Sequence, residues 1–344
     1  MTRRSALWTL TVIRIKEFFR EPSAVFWSFA FPLLLTVALG LAFRNKAPDP
    51  VRAAVVASVG SEAVVAALAK NLEIKVIVLD RAQALAQLRG SKVAVVVQAG
   101  APMQVHFDPM RPESRMANWL VNDALQRAAG RQDSATIEAQ PSSEIGSRYI
   151  DFLLPGLIGM NLMSAGMWGV GYVVVEMRTR KLLKRMLATP MNRRDFLLSM
   201  VLMRLIFLVV ELPVMLGFGW LAFDVRVQGS MGLFCAVALL GSLCFAGIGL
   251  LVASRAQNTQ TVGGLMNLVM MPMFLGSGVF FSSANFPDAM QPVLRLLPLT
   301  ALNDALRAIA NESAGFTQVL PQVSLLAVLA VLAFGAAVRW FRWQ

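Results

Sequence analysis

Cysteine, histidine and charge are all scarce in this chain, and each shortage excludes a class of function. Cys235 and Cys244 are the only cysteines among 344 residues. On one helix, nine positions put them on opposite faces and about 13 Å apart along the axis. That separation rules out a bridge between them, and they read as apolar filler. The single histidine, His106, has no cysteine or histidine neighbours in sequence, so neither a zinc site nor a catalytic base is expected there. No G-x-x-x-x-G-K-[ST] phosphate loop occurs, and ATP hydrolysis is therefore not assigned to this chain. Gly166, Gly169 and Gly171 do not match a dinucleotide pattern and lie in an apolar stretch, where small residues let helices approach closely. No serine, cysteine or carboxylate constellation suggests hydrolysis.

Charged residues make up only 15% of the chain, and its mean hydropathy is +0.60. A helix needs about 20 apolar residues to cross the hydrocarbon core of a bilayer. Charge-free windows run over residues 22–43, 152–175, 227–254, 256–287 and 313–338. A sixth window, 196–223, is interrupted only by Arg204 and Glu211. These windows predict an α-helical polytopic membrane protein with six transmembrane helices.

The net charge of +12 would point a soluble protein toward nucleic acid. Here the positive-inside rule accounts for it, and no nucleic-acid partner is expected. Arg3, Arg4, Arg14, Lys16 and Arg20 precede the first span. Arg178, Arg180, Lys181, Lys184, Arg185, Arg193 and Arg194 lie between the second and third. Arg255 follows the fourth, and Arg339 and Arg342 follow the sixth. Both termini are thus expected in the cytoplasm. The basic lead and the apolar run after it are together too long for a typical signal peptide, which predicts a retained first span.

Residues 1–22 read as an amphipathic interfacial helix, with Trp8, Val12, Ile15 and Phe19 on one face and proline fitting the first turn of the next helix. Residues 23–43 form the first expected span. Residues 44–148 carry 13 basic and 10 acidic residues and no window long enough to span. Strands are predicted at 51–59, 72–79, 92–98 and 103–107, and helices at 62–70, 81–88 and 113–129. That alternation predicts a small α/β domain, extracytoplasmic by the charge rule. Residues 149–344 hold the second to sixth spans. Within them, 176–195 is a cytoplasmic segment with seven basic and two acidic residues, including a short helix over 181–187 that ends at Thr189-Pro190. Residues 282–317 read as a pair of outer interfacial or re-entrant helices.

Two ionisable residues lie inside a span, where such groups usually face protein or a water-filled cavity. Glu211 is near mid-span and either lines a path or pairs with another helix. Arg204, seven positions earlier, is nearer the cytoplasmic end, where a long side chain can snorkel to the interface. Met163, Met167 and Met270 belong to recurring methionines, which either line a cavity for varied apolar ligands or fill gaps in the core.

These residues bring a family into view. Lys16-Glu17-Phe18-Phe19-Arg20-Glu21-Pro22, followed by Phe26-Trp27 and Phe31-Pro32, resembles the elbow helix of ABC-2 type (type V) ABC exporter permeases. Tyr149-Ile150-Asp151-Phe152-Leu153-Leu154-Pro155-Gly156 resembles their second span. Glu176, Lys181, Leu183 and Lys184, running to Leu187-Ala188-Thr189-Pro190-Met191, resemble the coupling helix that docks on the ATPase. Leu297-Pro298-Leu299-Thr300 with Ala305, Leu306 and Arg307 resembles the segment before the last span.

The resemblance implies a permease without catalytic residues, metal or cofactor of its own, working with ATP and magnesium bound in a partner ATPase dimer. A second permease copy or a paralogue would complete the pathway in the bacterial inner membrane. Glu176, Arg178, Lys181, Leu183, Lys184, Arg185, Leu187, Thr189 and Pro190 would couple to the ATPase. Arg204, Glu211, Met163, Met167 and Met270 would line the substrate path, with exit past Phe280 and Phe281. The implied substrate is hydrophobic or amphipathic, drug-like or lipid-like. The domain between spans one and two resembles a subgroup in which some members work with periplasmic adaptor proteins, and this argues against a polysaccharide substrate.

Two other readings fit the residues. One is a non-transporting subunit that transmits ATPase motion to an extracytoplasmic partner. The other is an ion-coupled carrier with Glu211 as its proton site, against which stand the few ionisable residues in the spans and the absence of an evident repeat.

Overall fold

The computed structural model describes residues 3–42, 50–132, 135, 148–187 and 193–340. The chain divides into two compact units, Met1–Asn45 with Ser143–Gln344, and Lys46–Ser142.

The first unit begins with α1 (Arg3–Arg20) and α2 (Pro22–Val25), then a π-helical turn, Phe26–Ala30, and α3 (Phe31–Ala42). Pro22 opens α2 without a penalty, because the first helical position lacks an N–H partner anyway. The expected apolar face of α1 is split. Thr11 is buried and Phe18 packs on Phe207 at 4.3 Å, while Trp8 and Phe19 are exposed.

The second unit is an α/β fold in chain order β1 (Val51–Val56), α4 (Ser61–Leu68), β2 (Ile74–Leu79), α5 (Arg81–Arg89), β3 (Val95–Gln98), β4 (Gln104–Phe107) and α6 (Pro112–Ala128). The order β-α-β-α-β-β-α matches the sequence pattern. The sheet runs β2-β1-β3-β4, with β1 parallel to β2 and β3 and with β4 antiparallel to β3. Strand side chains alternate between faces. Ala53, Val55, Val95 and Val97 therefore meet α4 and α6 on one side, and Ala54, Val56 and Val96 meet Ala84 of α5 on the other. Asp80 starts α5 by accepting from the Ala82 N–H at 3.2 Å.

The first unit resumes with α7 (Tyr149–Gly166), a second π-helical turn (Met167–Tyr172), α8 (Val173–Thr179) and α9 (Leu182–Leu187). There follow α10 (Arg193–Phe223), α11 (Met231–Ala253), α12 (Thr259–Gly276), α13 (Gln291–Arg295), α14 (Pro298–Glu312) and α15 (Phe316–Trp340). Four stretches among the described residues are long and apolar enough to cross a membrane: Tyr149–Thr179, Leu198–Phe223, Met231–Ala253 and Phe316–Trp340. Phe26–Ala42 is apolar but shorter, and α12 has 18 residues. The molecule is thus a mostly helical polytopic membrane protein.

The core of this unit is centred on α11, which packs against α7, α14 and α15. Glycine makes the α7–α11 approach possible. A Cβ on Gly249 would come within 2.8 Å of the Gly166 carbonyl oxygen, and one on Gly171 within 2.7 Å of the Gly249 carbonyl carbon. The expected role in close helix packing holds for Gly166 and Gly171. At Gly169 a Cβ would meet nothing within 4 Å, because that face opens on a cavity.

Candidate functional site: a chamber in the membrane unit

Three groups of side chains organise the ends and the middle of this unit. At the start of α7, Arg148 grips Asp151 through Nη2 at 2.8 Å and Nε at 2.9 Å, and the Asp151 carboxylate accepts from the Arg148 backbone N–H. Arg148 also donates to the Phe223 and Asp224 carbonyls at 3.0 and 3.2 Å. The beginning of α7 is thereby tied to the end of α10.

The second group holds the linker after α12, where Gly278 adopts φ +67°, a conformation open to glycine without a Cβ penalty. Three donors reach its carbonyls in succession. Asn303 donates to Ser277 at 3.0 Å, Arg307 to Gly278, and Tyr149 to Phe280 at 2.8 Å. Arg307 also donates to the Phe152 carbonyl at 3.0 Å and lies over the Phe152 ring at 3.6 Å. Burial pushes the Arg307 pKa down to about 10, so it is charged at neutral pH.

The third group is the buried pair on α10. Arg204 Nη2 lies 2.8 Å from Glu211 Oε2, without hydrogen-bond alignment, and the two side chains are 5% and 3% exposed. Arg204 Nε donates to Ser242 Oγ of α11 at 3.1 Å. Arg204 therefore does not snorkel. It turns inward because Glu211, two helical turns along the same face, supplies the compensating charge that burial demands.

The pair sits in the wall of a cavity of about 1220 Å³, bounded by α1, the two π-helical turns, α7, α8, α10 and α12. Trp27 and Ser28 come from the first π turn, and Trp168, Gly169 and Tyr172 from the second. A π turn inserts one residue per turn and re-aims side chains, a feature frequent at functional sites. Asn161 Nδ2 reaches the Ser28 carbonyl at 3.4 Å, linking α7 to the first π turn across the cavity wall.

The cavity brings together Arg204, Glu211, Met270 and Phe280 of the residues expected on a substrate path. Met163 and Met167 are packed in the core and do not belong to its described lining, and Phe281 is exposed. Glycine-mediated contact of α7 with α11 leaves no space beside those two methionines, which act as core filler.

Of the residues expected to couple to an ATPase, Glu176 lines the cavity and pairs with Arg180 at 2.7 Å. Arg178, expected on a docking surface, is turned inward. It donates to the carbonyls of Ala253 at 3.0 Å, Ser254 at 3.4 Å and Ala256, binding the end of α8 to the end of α11. Cations favour helix C-termini because the last carbonyls lack intrahelical partners. Lys181 is left-handed, φ +58°, and breaks α8 from α9. On α9, Leu183 is buried and Lys184 and Arg185 are exposed. Leu187 closes α9, and its side chain, like Thr189 and Pro190, lies outside the described residues.

The membrane unit thus holds buried ionic groups in the wall of a chamber and carries a short helix, α9, with exposed Lys184 and Arg185. The profile of the ABC-2 family transporter proteins matches residues 22–339, and the chain belongs to that family. The probable multidrug ABC transporter permease YbhR of Escherichia coli K12 is 24% identical over 253 residues, covering 70% of this chain and 68% of that protein. The inner membrane transport permease YhhJ of the same organism is 28% identical over 118 residues, 34% of this chain and 32% of the other. ABC transporter G family member 20 of Dictyostelium discoideum is 26% identical over 190 residues, 55% of this chain and 26% of that protein.

Proposed function

We propose that this chain is the membrane-spanning subunit of an ATP-driven exporter. It takes a hydrophobic or amphipathic substrate from the cytosol or inner leaflet and releases it across the bacterial cytoplasmic membrane. The observation that carries the reading is the chamber of about 1220 Å³, which has aromatic walls and a buried ion pair. Ionisable groups inside spans mark pathways, since burying them against lipid is costly. The probable multidrug role of the relative YbhR accords with a drug-like substrate.

In this reading six spans combine the four long apolar stretches with the helical run through Phe26–Ala42 and with α12. The basic flanks put both termini in the cytoplasm and the α/β unit outside, where it is suited to dock a periplasmic adaptor. Two permeases, identical or related, sit on two ATPase subunits that bind ATP and magnesium. Lys184 and Arg185 meet the ATPase, and Leu183 roots α9 in the membrane unit. Arg178 passes the resulting motion to α11 as well as α7. Release past Phe280 and Phe281 then requires the linker held by Tyr149, Asn303 and Arg307 to move.

A second reading, a non-transporting subunit that relays ATPase motion outward, is favoured by the separate α/β unit of residues 46–142. Substitutions in the chamber would leave such a protein fully active.

Purification from native membranes in mild detergent, followed by mass spectrometry, tests the proposal. An ABC ATPase subunit should come with the intact permease and be lost from Lys184→Glu/Arg185→Glu. Retention of the ATPase and of transport in that variant would contradict the coupling assignment. Absence of any ATPase from the unsubstituted complex would contradict the exporter.

A further inference from the structure

The four arginines that tie the membrane unit together spend their donors inside the protein. Arg148 and Arg204 meet carboxylates, and Arg178 and Arg307 meet backbone carbonyls. Arg255 does not. It is exposed in the turn between α11 and α12, and among the described residues its guanidinium has neither a carboxylate nor a carbonyl partner. It lies instead over the ring of Trp340, at the end of α15, with its central carbon 5.6 Å from the centroid, close enough for a cation–π contact that holds it in place.

Arg255 and Trp340 belong to a crevice of about 370 Å³ between α11, α12 and α15. Leu251, Val252, Leu265 and Val269 form its apolar walls, and no carboxylate is among its described lining. Leu265 and Val269 lie about 9 and 15 Å along α12 from its first residue, so the apolar part runs from the helix ends toward the middle of the unit. The Ser254 hydroxyl is spent on the Leu251 carbonyl at 2.7 Å. The Arg255 guanidinium and the Trp340 indole N–H remain as donors without an acceptor among the described residues. Arg178 donates to the carbonyls of Ala253, Ser254 and Ala256, which puts the crevice at the end of the unit that carries α9. It is separate from the chamber, with which it shares no described lining residue.

Donors at a helix end above apolar walls reproduce the order of groups in a phospholipid. Tryptophan belongs at headgroup level, a guanidinium meets a phosphate through two parallel N–H donors, and basic pockets between helices attract anionic headgroups. A free phosphate would use Arg255 and leave the apolar walls bare. A zwitterionic lipid brings its own ammonium, which Arg255 repels. Arg339, beside Trp340 in the last turn of α15, adds a second cation without a carboxylate partner among the described residues.

We propose that this crevice holds one anionic phospholipid, with its phosphate on Arg255 and Trp340 and an acyl chain along Leu265 and Val269. The site requires only that the unit span a bilayer, and it stands whether or not the chamber carries a substrate.

The probes are phosphatidylglycerol and phosphatidylcholine with the same diazirine-tagged acyl chain. A trace of either is added to the full-length chain in lipid nanodiscs and illuminated, and the crosslinked peptides are mapped by mass spectrometry. Crosslinks at residues 251–252 or 265–269 are expected. Untagged phosphatidylglycerol should displace them at a mole fraction about fivefold lower than phosphatidylcholine, the advantage that one basic residue gives to an anionic headgroup.

Arg255→Gln should abolish that advantage, while phosphatidylcholine still labels the same peptides and so reports an intact crevice. Arg255→Lys, which keeps the charge, should retain most of it. Equal displacement by the two lipids in the unsubstituted protein, or an advantage that survives Arg255→Gln, would overturn the anionic-lipid assignment. Displacement by excess inorganic phosphate would assign the site to a soluble anion instead, and no crosslink in either segment would remove the site.

Discussion

The two units of this molecule solve opposite problems with the same chain chemistry. In the α/β unit the Ala and Val side chains of the sheet meet helices on both faces, and no charged side chain is buried among its described residues. Ser114 is the one buried polar residue there among the described residues, held between the Asp108 N–H and the Ala94 carbonyl. The membrane unit turns polar groups inward. Asp151, Asn161, Arg204, Glu211, Ser242 and Asn303 are all buried in it. In water a charge is cheapest at the surface, whereas in a bilayer the surface is hydrocarbon and the interior is the better place. Inward charge in the membrane unit therefore maps where helices are tied and where the chamber lies.

That contrast can be broken most forcefully at the buried pair. Glu211→Ala leaves Arg204 buried without its counter-charge and should destabilise the protein by about 3–5 kcal/mol. Arg204→Met/Glu211→Leu, which removes both charges, should recover most of the loss. Thermal unfolding in detergent checks both. Equal damage from the single and double variants would mean that the pair is not a unit.

Close packing comes next. Gly171→Ala forces a Cβ against Gly249 and Met266 and should cost about 1–3 kcal/mol through overpacking, whereas Gly169→Ala should leave the unfolding temperature within about a degree. A smaller effect is expected at the linker after α12. Tyr149→Phe removes one donor to the Phe280 carbonyl and should cost about 1 kcal/mol, and a cysteine at Phe281 should react faster with a water-soluble maleimide in that background. The smallest belongs to the exposed residues of α9. Lys184→Glu/Arg185→Glu should change stability by no more than about 0.5 kcal/mol while releasing the ATPase.

Much of this architecture was legible because it rests on local chemistry. Hydropathy located the long apolar helices, and the alternation of strand-like and helix-like runs gave the order of the α/β unit, with strand ends off by a few residues. The run 51–59 stops at Val56, and 92–98 begins at Val95. Arg204 and Glu211 stood out as charges in an apolar window. What sequence could not supply was tertiary partnership. Arg178 reads as one more cation in a basic segment until the carbonyls at the end of α11, about 75 positions away, are beside it. Tyr149, Asn303 and Arg307 hold a linker whose carbonyls any sequence possesses. The two π turns have no residue signature, although both carry aromatics and the second carries two glycines. Met163 and Met167 read equally as cavity lining or as core filler and are core, because composition does not tell a filled space from an open one.

The central claim is that the inward-turned polar groups enclose a chamber that opens and closes with the ATPase. Ser164 lies in its wall, and the protein has only two native cysteines, both replaceable by alanine. Reaction of Ser164→Cys with a membrane-impermeant maleimide should be measured in the intact complex, from each side of the membrane, with and without ATP and vanadate. Labelling from the cytoplasmic side alone in the nucleotide-free state, lost when ATP and vanadate trap the complex, is the predicted result. Identical labelling in both states, or none from either side, would contradict it.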